Sequence, residues 1–118
     1  MSNTSRIRPE YAKSEVEMEI DLEQRFNIAM MSIYQRAWDE ANYRATHFHQ
    51  MLREHGGIDT VQILLLSKHV SEDYTALSEK KRLDLTVEAL ILDPQWHDLF
   101  TDADRDIARK RLQEYGYF

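Results

Sequence analysis

A broad apolar stripe with helical spacing is the feature that most constrains how this chain can fold. From Leu22 to Ala41, apolar residues recur every three or four positions, as the inward face of an amphipathic helix requires. The stripe consists of Leu22, Phe26, Ala29, Met30, Ile33, Tyr34, Ala37 and Ala41. We assign Met30 and Met31 to the core rather than to a binding groove, because methionine fills irregular core space. The pattern predicts a long helix that ends near Asn42.

The most apolar run in the second half of the chain, residues 82–92, predicts a buried central helix. Asp84 is expected at its N-cap, accepting hydrogen bonds from the backbone N–H groups of Thr86 or Val87. The helix should end before Pro94, because proline disfavours a helical conformation in the residue that precedes it. Its inward line is expected to contain Leu85, Ala89 and Leu92, widened by Val87, Leu90 and Ile91.

Helix-capping and helix-ending residues divide the rest of the chain into shorter helices. Gly56-Gly57 separates expected helices at about 45–55 and 58–67, and Ser71 can cap a short helix that follows. Asp93-Pro94 can open a brief helical turn, and Thr101 resembles a capping residue before the last helix, which should stop at Gly116. The sequence therefore predicts an all-α compact bundle of about five or six helices, with one long N-terminal helix packed on shorter ones.

The amino-terminal segment leaves two alternatives open. Residues 1–13 are polar and aperiodic and are predicted to be a flexible arm, which leaves 14–118 as a single helical domain. Residues 15–23 alternate between apolar and acidic side chains, as a strand does. Ser14 and Glu17 have the spacing of a capping box, which favours a helical extension instead. A strand would have to pair with a second copy or another protein.

Composition excludes several classes of function. The 118 residues include no cysteine, so disulfides, thiolate metal sites and cysteine catalysis are absent. There is no apolar run long enough to cross a membrane and no signal-peptide pattern at the start, so we expect a cytoplasmic protein without a membrane partner. The net charge of −6 opposes general binding to nucleic acid, where phosphate neutralisation supplies most of the affinity.

No set of residues predicts catalysis. His47 and His49 are two positions apart, which turns their side chains to different sides of a helix, and no HExxH pattern occurs. The chain also lacks a GxSxG nucleophile elbow and a glycine-rich phosphate loop. Acidic residues such as Asp84, Glu88 and Asp93 are ordinary near helix ends. We therefore assign no catalytic, metal or cofactor-binding residue, expect no cofactor, and favour a non-enzymatic function.

Two segments suggest protein contacts instead. The first is the acidic alternating segment, which suits a basic partner or another subunit. The second is the aromatic carboxyl end beyond Gly116, because aromatic residues are enriched in interfaces. The candidate interface residues are Glu15, Glu17, Met18, Glu19, Ile20, Glu23, Tyr117 and Phe118. They predict a protein-interaction or regulatory module with a protein partner, and a homodimer is one form of it.

The alternative function is that of a nucleic-acid-associated accessory or inhibitory protein. In one version basic residues contact phosphate directly, and in another the surface acids imitate nucleic acid. The candidate phosphate contacts are Lys80, Lys81, Arg82, Arg105 and Arg109. Residues 48–66 have the outline of a helix-turn-helix, but their second helix lacks arginine and lysine. We interpret that segment as a helical hairpin of the core.

Several strings in the chain resemble a family of small uncharacterised bacterial helical proteins. They are Ile33-Tyr34, YRATHF at 43–48, MLREHGG at 51–57, RLDLTVEALIL at 82–92, LFT at 99–101 and RLQEYGY at 111–117. The resemblance covers about residues 26–118, and the string RLDLTVEA is its most specific part. It implies a bacterial or phage cytoplasmic setting and transfers no activity and no functional residue.

Overall fold

The computed structural model describes residues 21–118, and the regular structure in that range is entirely helical. The helices are α1 (Leu22–Ala41), α2 (Thr46–Leu66), α3 (Glu72–Glu79), α4 (Val87–Ile91) and α5 (Asp102–Glu114). Two 3-10 turns, Leu83–Leu85 and Pro94–Leu99, flank α4. The predicted all-α bundle, with a long helix near the amino terminus packed on shorter ones, is confirmed.

The long helix α1 begins and ends at residues that suit helix termini. The Asp21 carboxylate accepts a hydrogen bond from the Gln24 N–H at 2.8 Å, and Asn42 closes the helix in the left-handed region at φ 52°. The predicted end near Asn42 is confirmed. A helix running unbroken through residues 15–23 is wrong, because Asp21 is extended. Residues 15–20 of that extension, like the arm at 1–13, lie outside the described residues.

Gly56 divides α2 into two parts, as the predicted pair of helices requires. Its backbone has φ 80° and ψ 172°, which breaks the helical path between them. The next residue, Gly57, lies directly on α1 and donates its N–H to the Asn27 side-chain oxygen at 2.7 Å. A Cβ at Gly57 would stand 2.5 Å from that oxygen and 3.0 Å from the Phe26 ring. Only glycine lets the two helices approach this closely.

The main core lies between α1, α2 and the second 3-10 turn. Phe26 is fully buried, and the rings of Trp96 and Phe100 pack edge-on against it at centroid distances of 5.2 and 5.1 Å. The predicted short turn after Asp93 is therefore present and supplies core aromatic rings. Met30 is buried as predicted, but the assignment of Met31 to the core is wrong, because its side chain is 39% exposed.

The predicted central helix over residues 82–92 is wrong in its form. The segment contains a 3-10 turn and then α4, which begins after Thr86 and not after Asp84. The Thr86 hydroxyl donates to the Leu83 carbonyl at 2.6 Å and accepts from the Ala89 N–H at 3.2 Å. One side chain thus closes the first turn and opens the next helix. Leu85 and Ile91 are buried as predicted, whereas Ala89 and Leu92 are only half-buried.

The remaining predicted caps are present. Ser71 accepts from the Tyr74 N–H, and Thr101 with Asp104 forms a reciprocal capping box at the start of α5. Gly116, at φ 81°, ends α5, and the next N–H, from Tyr117, bonds back to the Leu112 carbonyl at 2.8 Å. No helix in residues 21–118 combines the length and the apolar character needed to span a membrane.

Candidate interaction surfaces

The face of α1 that points away from the core carries six exposed, uncharged side chains. Their positions are separated alternately by four and three residues, which keeps them in one line along a helix. They are Gln24, Ile28, Met31, Gln35, Trp38 and Asn42. We name this set the outer stripe. It is a second line of side chains on α1, opposite the buried stripe that predicted the helix.

The apolar members of the outer stripe are substantially exposed to solvent. Ile28 is 65% exposed, and Met31 and Trp38 are each 39% exposed. The Arg44 guanidinium lies 4.4 Å from the centre of the Trp38 ring, and the Tyr34 ring packs edge-on against it. These contacts hold the indole in place on the surface. Aligned apolar residues on one outward helix face are typical of interaction sites.

One edge of the outer stripe carries opposite charges at its two ends. Arg25, Ser32 and Asp39 are spaced by seven residues along this edge, and all three are exposed. The Asp39 carboxylate accepts from the Gln35 side-chain amide at 3.3 Å. The other edge consists of Asn27, Tyr34 and Ala41, none of which is charged. Along this edge the charge is therefore positive at the start of α1 and negative near its end, where the Arg44 guanidinium also stands over the Trp38 ring.

The predicted aromatic carboxyl end is exposed. Tyr117 and Phe118 lie next to one another with ring centroids 5.3 Å apart, and Phe118 is 65% exposed. Tyr115 packs edge-on against the buried Tyr74 ring of α3 at 5.0 Å. The last turns of α2 also expose apolar side chains, above all Leu66 at 80%.

The two predicted halves of the interface lie on different elements of the fold. Glu23 is in the first turn of α1, whereas Tyr115 contacts Tyr74 of α3, whose Leu77 packs with Ala37. Glu23 and Ala37 are separated by 14 residues of helix, which is about 21 Å. The other predicted residues of the acidic half, Glu15, Glu17, Met18, Glu19 and Ile20, lie outside the described residues.

Two arginines among the predicted phosphate contacts are engaged by neighbouring carboxylates. Arg82 bonds Asp84 at 3.0 Å and Glu40 at 2.7 Å, and these pairs raise the pKa of its guanidinium. Arg109 pairs with Asp106 at 3.0 Å. The positive charges of these two side chains are therefore already compensated by carboxylates.

A third arginine, Arg105, stabilises the turn before α5 through hydrogen bonds. Its guanidinium donates to the carbonyls of Phe100 and His97 and pairs with Asp102 at 2.6 Å. Lys80 and Lys81 are different, because they are exposed and form no ion pair within residues 21–118. Of the five predicted phosphate contacts, only the two lysines present an uncompensated charge.

The two basic groups do not form one surface. Arg82 is anchored to Glu40 near the end of α1, whereas Arg105 is anchored to the Phe100 carbonyl. The Phe100 ring packs on Phe26 near the start of α1, about 21 Å along the helix from Glu40. A nucleic-acid duplex would therefore meet them as two separate groups.

A buried ion pair joins α4, α5 and the end of α2. Glu88 of α4 and Arg111 of α5 are 4% and 8% exposed, and their charged groups are 2.9 Å apart. The Arg111 guanidinium also donates to the carbonyls of Leu64 and Ser67 at 3.1 and 2.7 Å, which satisfies the end of α2. Burial raises the pKa of the Glu88 carboxyl, and Arg111 opposes that rise. Every polar contact of the pair is structural.

A small cavity lies beside this pair. Its volume is about 40 Å³, and its walls are mainly apolar. The polar residues that line it are His47, Ser71, Asp73, Tyr74, Thr86 and Glu88. Thr86 and Glu88 already have hydrogen-bond partners, and the buried Tyr74 hydroxyl has none within residues 21–118. A buried water occupies roughly 10–15 Å³ on the same measure, so the cavity has room for about three waters.

No arrangement in the described range points to metal chemistry. Across residues 21–118, no group of three or more His, Asp or Glu side chains is placed to hold a metal ion. Comparisons of the chain with protein-family models, curated proteins and solved structures find no match.

The outer stripe is not predicted from the sequence, because the buried stripe alone defines α1. The exposed side of that helix is then expected only to contact solvent. The available signal was the alternating four- and three-residue spacing of uncharged side chains on that wet side. The Glu88–Arg111 pair had no comparable signal, because its members are 23 residues apart on different elements.

Proposed function

We propose that this protein is a non-enzymatic protein–protein interaction module that works in a bacterial or phage cytoplasm. The observation that supports the proposal best is the outer stripe, where three large apolar side chains face solvent in one line of α1. Burying such side chains against a partner contributes about 25 cal/mol per Å² of apolar area. The resemblance of residues 26–118 to a bacterial family supports the cellular setting.

The acidic segment and the aromatic carboxyl end remain part of this proposal as secondary contacts. Glu23, at the start of α1, and Phe118, at the end of the chain, are both exposed. A partner that reaches both would have to contact α1 and the end of the chain together. The acidic residues would favour basic groups on that partner.

The proposal can be tested by affinity capture with the full-length chain and single substitutions. Met31→Lys should abolish capture of the proteins that the wild type retains, because it places a charge in the centre of the outer stripe. Gln113→Lys is a charge-matched control on an exposed position of α5. A Tyr117→Ser, Phe118→Ser double variant measures the contribution of the carboxyl end. Equal capture by all of these variants would refute the proposal.

The alternative proposal is a nucleic-acid-associated protein. Direct phosphate contact finds support only in Lys80 and Lys81, which extend from the end of α3 without carboxylate partners in the described range. Imitation of nucleic acid by surface acids finds support in the net charge of −6. A nuclease or nucleic-acid-binding protein captured in the absence of nucleic acid would favour the second version.

A further inference from the structure

We infer that the outer stripe is the seam of a homodimer, in which α1 packs antiparallel against α1 of a second copy. This inference rests on the proposed interaction function and names the partner. The stripe has the alternating four- and three-residue spacing by which two helices pack along a common line. It spans 18 residue steps, from Gln24 to the C-cap residue Asn42, or about 27 Å, which is about five helical turns.

The residues of the stripe complement a copy of the stripe turned end to end. With the twofold axis midway between Gln24 and Asn42, Ile28 lies opposite the partner's Trp38. Met31 then lies opposite the partner's Gln35, and the two flexible side chains fill the centre. A homodimer requires one surface that is complementary to its own rotated copy, and this arrangement meets that requirement.

The charged edge selects the antiparallel orientation. Arg25 lies eight residues before the midpoint of the stripe, and Asp39 lies six residues after it. End-to-end rotation therefore brings Arg25 of one copy near the partner's Asp39, and the pair occurs twice. In a parallel dimer each Arg25 would instead face the uncharged edge that contains Asn27. Antiparallel packing also opposes the two helix dipoles.

Two other surfaces within residues 21–118, the outer face of α5 and the end of α2, lack this self-complementarity. The outer face of α5 carries Asp106, Arg109 and Lys110, which are charged and exposed, so self-pairing would desolvate ions. Leu66 is the most exposed apolar residue, but it stands at the end of α2 with the polar segment Ser67-Lys68-His69 immediately after it. The outer stripe alone combines length, apolar residues and complementary charge within residues 21–118.

The first test is the mass of the full-length chain in solution. Sedimentation velocity from micromolar to millimolar concentration should show a species of twice the chain mass of 14.1 kDa. Met31→Lys should raise the dissociation constant about tenfold or more, because it places two lysines at the centre of the seam. Leu66→Lys, an equal change on an exposed apolar residue elsewhere, should leave the constant unchanged. Circular dichroism should show the same helical content in all three.

The second test is the orientation. Arg25→Glu should weaken the dimer through repulsion from the partner's Asp39, and adding Asp39→Arg should restore it. The chain contains no cysteine, so introduced thiols report one contact each. A mixture of Ile28→Cys and Trp38→Cys chains should form the mixed disulfide faster than either chain forms a disulfide with itself.

Several results would overturn the inference. They are a single-chain mass at every concentration, a dimer that Met31→Lys leaves intact, or faster self-linking of the Ile28→Cys chain. Loss of the dimer in a full-length Met18→Ser, Ile20→Ser variant, with the outer-stripe variants unaffected, would assign assembly to the amino-terminal segment. None of these results refutes the broader interaction function, which fails only if the surface variants leave capture of every partner unchanged.

Discussion

Lys81 holds a left-handed backbone conformation that glycine normally supplies. Its φ is 60°, and the N–H groups of Lys81 and Arg82 bond back to the carbonyls of Ser78 and Leu77 to end α3. This conformation costs a residue with a Cβ roughly 1–2 kcal/mol. The same backbone role at the end of α5 belongs to Gly116. The two helix ends are therefore equivalent in hydrogen bonding and different in strain.

Replacing Lys81 with glycine should stabilise the protein. We expect Lys81→Gly to raise the free energy of unfolding by about 0.5–1 kcal/mol, because the relief of strain exceeds the added entropy of the unfolded chain. Urea denaturation followed by circular dichroism measures the change. Lys81→Ala is the control, since it removes the charge and keeps the strain, and it should give no gain. A gain in Lys81→Ala equal to that of Lys81→Gly would attribute the effect to charge instead.

Most caps could be predicted from the sequence, since each depends on residues within a few positions. Ser71, and Thr101 with Asp104, were identified this way, and each closes its bonds locally. Asp84 was assigned the wrong role because a second side chain, only two positions before it, competes for its carboxylate. Arg82 takes the Asp84 carboxylate, and Thr86, which can both donate and accept, becomes the cap. A capping pattern does not show which of two nearby candidates is left free to cap once a neighbouring charged side chain has paired with the other.

At the scale of elements, Arg111 joins α5 to α4 and to the end of α2. Arg111→Ala should lower the free energy of unfolding by about 3–5 kcal/mol, because it leaves the buried Glu88 carboxylate and the carbonyls of Leu64 and Ser67 unpaired. Guanidinium denaturation measures the loss. In the double variant Glu88→Leu, Arg111→Met much of the loss should be recovered, because no charge stays buried. A double variant no more stable than Arg111→Ala would show that the carbonyl contacts dominate.

The contacts of Glu40 predict how stability changes with pH. Hydrogen bonds from Arg36 and Arg82 lower the pKa of Glu40 from 4.5 to about 2. A folded-state pKa below the unfolded value means that the contribution to stability is complete above pH 4.5. It should be lost as the pH falls from 4.5 toward 2.

This prediction is checked by comparing the wild type with Glu40→Gln. The midpoint of urea unfolding should fall more between pH 5 and 2.5 in the wild type than in the variant. The difference should shrink at high salt, since the carboxylate is exposed to screening. Asp59→Asn, an exposed acid in α2, is the matched control and should follow the wild type. Parallel curves for wild type and Glu40→Gln would contradict the prediction.

The elements themselves were predictable in proportion to their length. The α1 stripe repeats over 20 residues, so its period is unambiguous, and its two ends carry recognisable caps. Residues 82–92 are too short to distinguish one helix from two turns by period alone. The division there is imposed by packing, because Leu83 and Leu85 of the 3-10 turn and Ile91 of α4 are all buried.

At the scale of the whole molecule, charge disfavours binding to DNA. The chain carries −6, and Arg82 and Arg105 are anchored at points about 21 Å apart along α1. Among the five candidate phosphate contacts, only Lys80 and Lys81 lack a carboxylate partner within residues 21–118. Fluorescence anisotropy with a labelled duplex at about 0.15 M salt should show no saturable binding. Saturable binding that weakens with salt and disappears in Lys80→Ala, Lys81→Ala would contradict this expectation. Binding unaffected by that variant would also contradict it and would point to another surface.

The sequence by itself determined the all-α class, the length of α1 and the positions of most helix ends, because these depend on periodicity and on contacts between near neighbours. Only the tertiary structure decided which polar groups are paired and which apolar groups remain outside. Glu88 and Arg111 meet across 23 residues, and Met31 faces solvent because the opposite side of α1 packs into the core. Burial and charge pairing are properties of surfaces brought together by folding, and no short segment contains both surfaces.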